Sequence, residues 1–453
     1  MKSSTTTTNA DSVPRALTIA FATTTVMWLL SYVAMLQPGT VAGEIIFIIT
    51  LLVLVGGSSL GAAMDVDCST PARAVRRGCE VGVISACINL MLIGSIIGGS
   101  GAAGLWFIGL FAVSTVLGAV GGLLGLHIRG VGGNRIWHGA FATVCAALTF
   151  LMLVSGGIVT GFEAGLAVPD WPNSYGHNML LYPLSEMVAD LESGIFYEHA
   201  HRLTGMFLGL ASLTLCIVLW RCDRRRWVGL LGTVVLVMVI GQGVLGGLRV
   251  TGDLTLSANP ELLSPSTGLG IVHGVFGQVV FVTMVYLAAA TSSRWIHGGP
   301  AEPTPGAGAG RFLAWALLVC LLFQLIIGAM YRHLTSDLAY AGVQTNHLLM
   351  GHIALAALVM LLAIINGIRA SSVPSAGDVQ KKIGFMLIIV VILQVALGLL
   401  ATVVVMSREP GEPIPVMEVI VTSAHQANGG LLLAAAVLLT AWQSRLERAC
   451  STS

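Results

Sequence analysis

The chain has 453 residues, of which 55% are hydrophobic and only 9% are charged, and its formal net charge is +1. Soluble domains carry about a quarter charged residues. Because so few charges cannot cover a water-facing surface of this size, the composition excludes a soluble enzyme, a disordered protein and a nucleic-acid binder. Most of the chain is therefore predicted to lie in lipid.

Twelve apolar runs follow one another along the chain, and each is near the roughly 20 residues that cross a bilayer as a helix. They lie at 17–37, 44–63, 81–100, 104–126, 139–160, 199–220, 227–248, 269–290, 312–331, 345–367, 383–405 and 423–443. The strands of a membrane β-barrel would be about half as long and would alternate in polarity. The sequence therefore predicts an all-α polytopic membrane protein with about twelve transmembrane helices.

The basic residues predict how these helices are oriented. If the N-terminus lies in the cytoplasm, 18 of the 22 Lys and Arg residues fall in inner segments, as the positive-inside rule requires. The other four are Arg202, Arg249, Arg332 and Arg408. One span more or fewer would invert every later loop. We therefore expect a multi-pass protein of the cell inner membrane with both termini cytoplasmic.

A pattern repeats through the last two thirds of the chain. Three predicted helices carry a Gln followed four residues later by a Gly, namely Gln242 with Gly246, Gln324 with Gly328 and Gln394 with Gly398. A fourth copy, at 151–161, keeps the glycines without the Gln. This pattern predicts two four-helix halves, 131–297 and 298–453, after a separate four-helix extension at 1–130.

Each copy is followed by an outer loop and then by a helix with a histidine near its start. These histidines are His201, His273, His347 and His425. An ionisable side chain within a membrane helix is costly, which points to function, and His is a strong axial ligand for haem iron. Two histidines from each half would hold one haem, which gives two sites near the outer face. The alternative is that each His only forms hydrogen bonds across helices.

Two further histidines are less clear from the sequence. His352, five residues after His347, is interpreted as a core histidine with some chance of a ligand role. His333 sits at a helix end beside Arg332.

Glu198 distinguishes the first half from the second. It lies three residues before His201, so that the two share a helix face. The equivalent positions before the other three histidines are Gly270, Gln344 and Thr422. A carboxylate beside a haem ligand could act as a general acid or base. Equally, Glu198 could simply be stabilised by the helix dipole. The difference suggests a reactive haem in the first half and an electron-exchanging haem in the second.

Six segments carry a resemblance to a known family: EAGLAVPDWP (163–172), YEHAHR (197–202), QGVLGG (242–247), GAMYRH (328–333), VQTNH (343–347) and HQANGGLLLA (425–434). In this order they resemble the haem A synthase family over roughly residues 138–443. The extension at 1–130 lies outside this resemblance.

The resemblance implies oxidation of the haem O methyl group to the formyl group of haem A, for the biogenesis of cytochrome c oxidase. His201 and His273 would then bind the substrate haem, with Glu198 as the catalytic residue. The iron of a prosthetic haem b would be bound by His347 and His425. The implied partners are haem O itself, haem O synthase and an electron acceptor.

The sequence also departs from the family. Many members carry a cysteine pair around the PDWP segment, where this chain has Val168 and Ser174, and Leu348 follows His347 where an Arg is common. Arg202, Arg249 and Arg332 are candidate partners for haem propionates, with solvated helix-end charges as the alternative.

Two other functions compete with the synthase. A di-haem membrane cytochrome that relays electrons from quinol would use all four histidines but would not need Glu198. A transporter built from repeats would explain the repeats, but it would leave the four histidines without a role.

Overall fold

The computed structural model describes residues 12–36, 40–65, 68–97, 103–128, 135–256, 263–264, 266–298, 307–340, 343–372, 378–409 and 412–451. Fourteen α-helices lie in these ranges, together with a short hairpin, and they confirm the all-α prediction. Eleven of the described helices are long and apolar enough to cross a membrane. The chain is therefore a multi-pass membrane protein.

The helix bounds follow the predicted runs. The first four helices are α1 (Ser12–Met35), α2 (Val41–Ala63), α3 (Pro71–Ile97) and α4 (Ala103–Gly125). Then come α5 (Trp137–Gly161), α6 (Leu184–Val188), α7 (Ile195–Cys222), α8 (Arg226–Thr251), α9 (Thr267–Ala290) and α10 (Ser293–His297). The last four are α11 (Ala307–Tyr340), α12 (Asn346–Ser372), α13 (Asp378–Met406) and α14 (Val416–Ser451). The predicted span 81–100 lies on α3, which is not among the eleven, and residues 37 and 98–100 lie outside the described residues.

The chain divides into two compact units. Unit 1 contains residues 1–148, 166–236 and 290–293, and unit 2 contains residues 149–165, 237–289 and 294–453. Of the five boundaries between the units, one falls inside α5 and one inside α8, and none falls at residue 130 or 297. The three-part division inferred from the sequence stays a prediction.

Within unit 1, the N-terminal extension packs on helices that follow it in the chain. The ring centroid of Phe21 on α1 lies 5.1 Å from Phe141 on α5 and 5.8 Å from Phe207 on α7. The Trp28 ring lies 4.8 Å from Phe207, and its indole N–H donates to Asn89 Oδ1 of α3 at 2.9 Å. Aromatic burial of this kind contributes strongly to packing. Helix α1 is therefore a common packing partner of α3, α5 and α7.

Helices α3 and α4 cross at very short range because glycines line their contact. A Cβ at Gly78 would lie 1.9 Å from the Gly118 carbonyl oxygen, and one at Gly122 would lie 2.1 Å from the Ala74 carbonyl oxygen. Small residues let membrane helices approach until their backbones touch. The many glycines of the composition serve this purpose here.

An ion cluster joins the start of α1, the end of α2 and α3. The buried Asp65 carboxylate accepts from Arg15 Nη2 at 2.6 Å and also accepts from Arg77 Nε. Arg77 also pairs with Glu80 at 2.8 Å. A buried charge needs such partners because its desolvation is costly.

Trp28→Ala is expected to destabilise unit 1 by about 3 kcal/mol, because it removes the ring from Phe207 and the hydrogen bond to Asn89. Thermal unfolding of the purified protein in detergent measures this loss. The matched control is Trp106→Ala on α4, where the side chain is 49% exposed and little change is expected. Equal shifts in the two variants would contradict the packing role of Trp28.

In unit 2, helices α11 to α14 form a bundle in which α11 contacts α12 and α14, while α13 contacts α12 and α14. Its core contains the fully buried side chains of Leu317, Ala363, Leu387, Ala435 and Leu439, one or two from each helix. This packing fixes the four helices against one another. It therefore also fixes the histidines that α12 and α14 carry.

Candidate functional site

The segment that joins α5 to α7, residues 162–194, is ordered by a hairpin. Its strands are β1 (Asn173–Ser174) and β2 (His177–Asn178), and Ser174 pairs with His177. The two-residue turn has φ of 51° at Tyr175 and 77° at Gly176, as a tight hairpin turn requires. The Asp170 carboxylate accepts from the Tyr175 N–H at 2.7 Å and from the Gly176 N–H at 2.8 Å. The PDWP motif therefore belongs to a folded loop.

Glu198 lies in the first turn of α7 and holds this loop. Its side chain is buried, with only 4% of the residue exposed. Oε2 accepts from the Val168 N–H at 2.8 Å, and Oε1 accepts from Arg202 Nη2 at 2.6 Å. Both carboxylate oxygens are thus hydrogen-bonded, one to the loop and one to the next turn of the helix.

Arg202 completes the attachment of the loop. Its Nη1 donates to the Asp170 carbonyl at 2.7 Å and to the Asn173 carbonyl at 3.1 Å. Its Nη2 donates to the Val168 carbonyl at 2.8 Å as well as to Glu198. With Nε also donating to Glu198, all five N–H groups of a guanidinium have partners. Arg202 would have to release one of them to bind a propionate, and that role stays a prediction.

A buried histidine beside this pair was missed in the sequence. His199 is fully buried and its Nδ1 lies 3.1 Å from Ser174 Oγ. Its ring centroid lies 5.1 Å from Tyr182. The sequence shows that His199 points to a different side of α7 from Glu198 and His201. However, nothing in the sequence places Ser174 next to α7. His199 acts as a second attachment point for the loop.

Tyr175 lies near the carboxylate of Glu198, outside the membrane-spanning helices. Desolvation raises the pKa of its hydroxyl, and the negative charges of Glu198 and Asp170 raise it further. The hydroxyl therefore stays protonated and donates to the Ala167 carbonyl.

His201 and His273 are described separately because they belong to different units. His201 is half-buried on α7, three residues after Glu198. On α9, His273 packs its Cε1 edge against Gly246, where a Cβ would lie 3.3 Å away. The buried Nδ1 of His273 has no hydrogen-bond partner. A buried nitrogen of this kind is costly unless something binds it, which suits a ligand for a metal.

In unit 2 the structure brings His425 next to His352. Their ring centroids are 6.4 Å apart. His347 is instead exposed, as the second residue of α12. From the sequence, His352 was interpreted as a core residue with some chance of a ligand role. The register of α12 against α14 depends on packing, which the repeat pattern does not show.

Glycines shape the room around both of these histidines. A Cβ at Gly328 would lie 2.8 Å from His352 Cε1, and one at Gly398 would lie 3.0 Å from His425 Cε1. Gln394 Nε2 lies 3.3 Å from His425 Nδ1, and Asn428 donates to Gln394 Oε1 at 2.7 Å. The rings are therefore positioned by close backbone contact and by fixed amides.

The separation of the two rings fits a haem. A histidine nitrogen lies about 2 Å from a bound metal, so two imidazoles that held one iron between them would have ring centroids about 6 Å apart. The observed 6.4 Å agrees with this. Among the described residues, no group of three or more His, Cys, Asp and Glu side chains could hold a metal ion.

The remaining arginines lie against unit 2 backbone. Arg332 Nη2 donates to the Thr160 carbonyl at 2.6 Å, and its Nη1 lies 3.4 Å from Glu163 Oε1. Arg249 packs on Gly165, where a Cβ would lie 2.8 Å from Nη1. The His333 ring lies beside Gly270. The propionate assignments of Arg249 and Arg332 stay predictions.

A family model described as cytochrome oxidase assembly protein, COX15-CtaA, matches residues 139–437. The chain belongs to this family. The match begins near the start of α5, so it leaves the N-terminal extension outside. The family resemblance inferred from the sequence motifs is thereby confirmed.

Relatives of this COX15-CtaA family member carry the name heme A synthase. The chain is 27% identical over 226 residues to one from Beijerinckia indica, which covers 43% of this chain and 58% of the relative. It is 28% identical over 223 residues to one from Rhodospirillum centenum, at 44% and 56% coverage. A third, from Caulobacter sp. (strain K31), is 26% identical over 368 residues and covers 67% of this chain and 94% of the relative. The chain thus spans little more than half the length of the first two relatives.

Gly398→Val is expected to lower haem binding in unit 2 several-fold, since the added methyl groups would overlap the His425 ring and overpacking costs about 1–3 kcal/mol. The haem-to-protein ratio of the purified variant measures this. Gly351→Val on α12 is the matched control, because a Cβ there would have nothing within 4 Å. An unchanged haem-to-protein ratio in Gly398→Val would show that haem binding does not depend on the close contact between residue 398 and the His425 ring.

Proposed function

We propose that this chain oxidises the methyl group of haem O to the formyl group of haem A, which supplies cytochrome c oxidase. The observation that carries the proposal is Glu198, a buried carboxylate one helical turn before His201 in a member of the COX15-CtaA family. One relative, from Caulobacter sp. (strain K31), matches 67% of the chain and is named heme A synthase. His201 and His273 are proposed to bind the substrate haem.

The chemistry needs a group that handles protons at the substrate. Converting a methyl to a formyl group adds one oxygen atom to the carbon, which we propose comes from water, and releases protons and electrons. A positioned carboxylate is suited to accept the protons. Arg202 holds the Glu198 carboxylate in place through the 2.6 Å ion pair. The loop of residues 162–194, attached to Glu198 through Val168, would exclude water from this carboxylate.

A second centre would take the electrons away. Haem b is proposed to bind in unit 2, where the resemblance implies His347 and His425, and when bound it supplies one-electron transfer. An electron acceptor and haem O synthase are the proposed partners. We also propose that both termini are cytoplasmic and that the haem sites face the outer side. Labelling of cysteines introduced at the exposed Asn178 and His297 from opposite sides of the membrane would test this.

The di-haem cytochrome alternative is favoured by one observation: both oxygens of Glu198 are already paired, as in a purely structural carboxylate. To separate the two, the chain is expressed with haem O synthase in a host that makes no haem A, and its haems are extracted and separated. Haem A or hydroxylated haem O beside haem b supports the synthase. Haem b alone, with haem O unconverted, supports the cytochrome.

A further inference from the structure

One arrangement of Gln, Gly and His occurs three times in unit 2. Gln242 Nε2 donates to the His273 carbonyl at 2.9 Å, and the His273 ring packs on Gly246. Gln394 contacts the His425 ring, which packs on Gly398. In each case the Gln and the Gly lie one turn apart on one helix, and the His comes from the following long helix.

The third copy contains His352. Gln324 Nε2 donates to the His352 carbonyl at 3.0 Å and lies 3.2 Å from both ring nitrogens. The ring of His352 packs on Gly328 as His425 does on Gly398. His352 therefore occupies, in its copy, the place that His273 and His425 occupy in theirs.

His347 has a different position. It is five residues earlier on α12, which places it about 140° around the helix from His352. Its side chain is exposed. The ring of His352 lies between α12 and α14. A group bound to His347 would lie on a different face of α12.

We infer that His352, not His347, is the α12 ligand that pairs with His425 at the second haem. This inference rests on the proposed haem b centre and changes one of its two ligands. Three observations support it. The first is the repeated arrangement of Gln, Gly and His, and the second is the 6.4 Å separation of the two rings. The third is the buried Gln324 Oε1, which has no hydrogen-bond partner and therefore marks a polar site that packing alone does not explain.

The test compares full-length variants that also carry His201→Leu, which removes a ligand of the first haem. In this background the bis-imidazole signal in electron paramagnetic resonance reports the second haem. His352→Leu is expected to abolish this signal and His347→Leu to keep it. In His352→Met, a sulfur can replace the imidazole, so haem is expected to stay bound with a raised midpoint potential, as His/Met ligation produces.

Any loss of the signal in His347→Leu, or its retention in His352→Leu, overturns the inference. If His352→Leu does not fold, His352→Met decides: an unchanged potential and signal overturn it. Absence of the signal in the His201→Leu background itself would instead remove the proposed haem b centre. Failure of the inference and failure of the proposed function are therefore distinguishable.

Discussion

Glu198→Gln is expected to lower the conversion of haem O by about 100-fold or more, which is the usual contribution of a positioned general acid or base. The amide keeps the size of the side chain and can still accept from the Val168 N–H, so the loop should remain attached. Haem b content should be unchanged, because the proposed haem b ligands lie on α12 and α14. Extracted haems, separated by chromatography and quantified per mole of protein, measure both.

Glu192→Gln is the matched control, since Glu192 is exposed in the same segment and should leave conversion unchanged. Wild-type conversion in Glu198→Gln would show that the carboxylate is only structural. A fall in conversion together with a fall in haem b would mean that the variant is misassembled and would contradict a local role.

Arg202→Leu is expected to have the largest effect on stability. It leaves the buried Glu198 charge unpaired and deprives the carbonyls of Val168, Asp170 and Asn173 of their donor. Breaking a buried pair from one side costs about 3–5 kcal/mol. We expect the segment of residues 162–194 to become sensitive to limited proteolysis and the melting temperature to fall.

Arg221→Leu controls for the loss of an arginine from the same helix, because Arg221 is exposed at the far end of α7. A double variant with Glu198→Gln separates the two roles of Arg202. If Glu198 and Arg202 form an ion pair, the loss of stability in the double variant should be smaller than the sum of the two single losses by about 0.5–3 kcal/mol. Additive losses would contradict the ion pair.

Eleven long helices were predictable because length and apolarity suffice to place them. The run 199–220 became α7 at Ile195–Cys222, and the run 269–290 became α9 at Thr267–Ala290. Every residue of such a run faces lipid or another helix, so composition alone indicates it.

The loop and the ligand pairing were not predictable in the same way. The role of Arg202 depends on backbone carbonyl groups that the hairpin segment places beside it. The positions of backbone carbonyls cannot be predicted from the identities of the side chains. The position of the His352 ring depends on how α12 is rotated against α14. It also depends on the length of the loop before α12. Gln324 lies 28 residues before His352, whereas Gln394 lies 31 residues before His425, so the spacing alone does not identify which histidine of α12 lies against Gln324.

The extension lay outside the family resemblance, and its contacts could only come from the structure. Phe21 and Trp28 on α1 reach Phe207 on α7, and Tyr32 lies 5.1 Å from Phe196 at the start of α7. The first half of the helix that carries Glu198 is thus packed by α1. The sequence of an apolar helix does not predict which other helices it packs against.

The conversion of haem O can be followed directly by a time course in membranes. Membranes that contain this chain and its native electron acceptor are incubated with haem O, and the haem is followed by mass spectrometry. We predict that hydroxylated haem O and then haem A accumulate, and that membranes with Glu198→Gln form neither. Recovery of haem O unchanged from wild-type membranes, with haem b bound to the protein, would contradict the account.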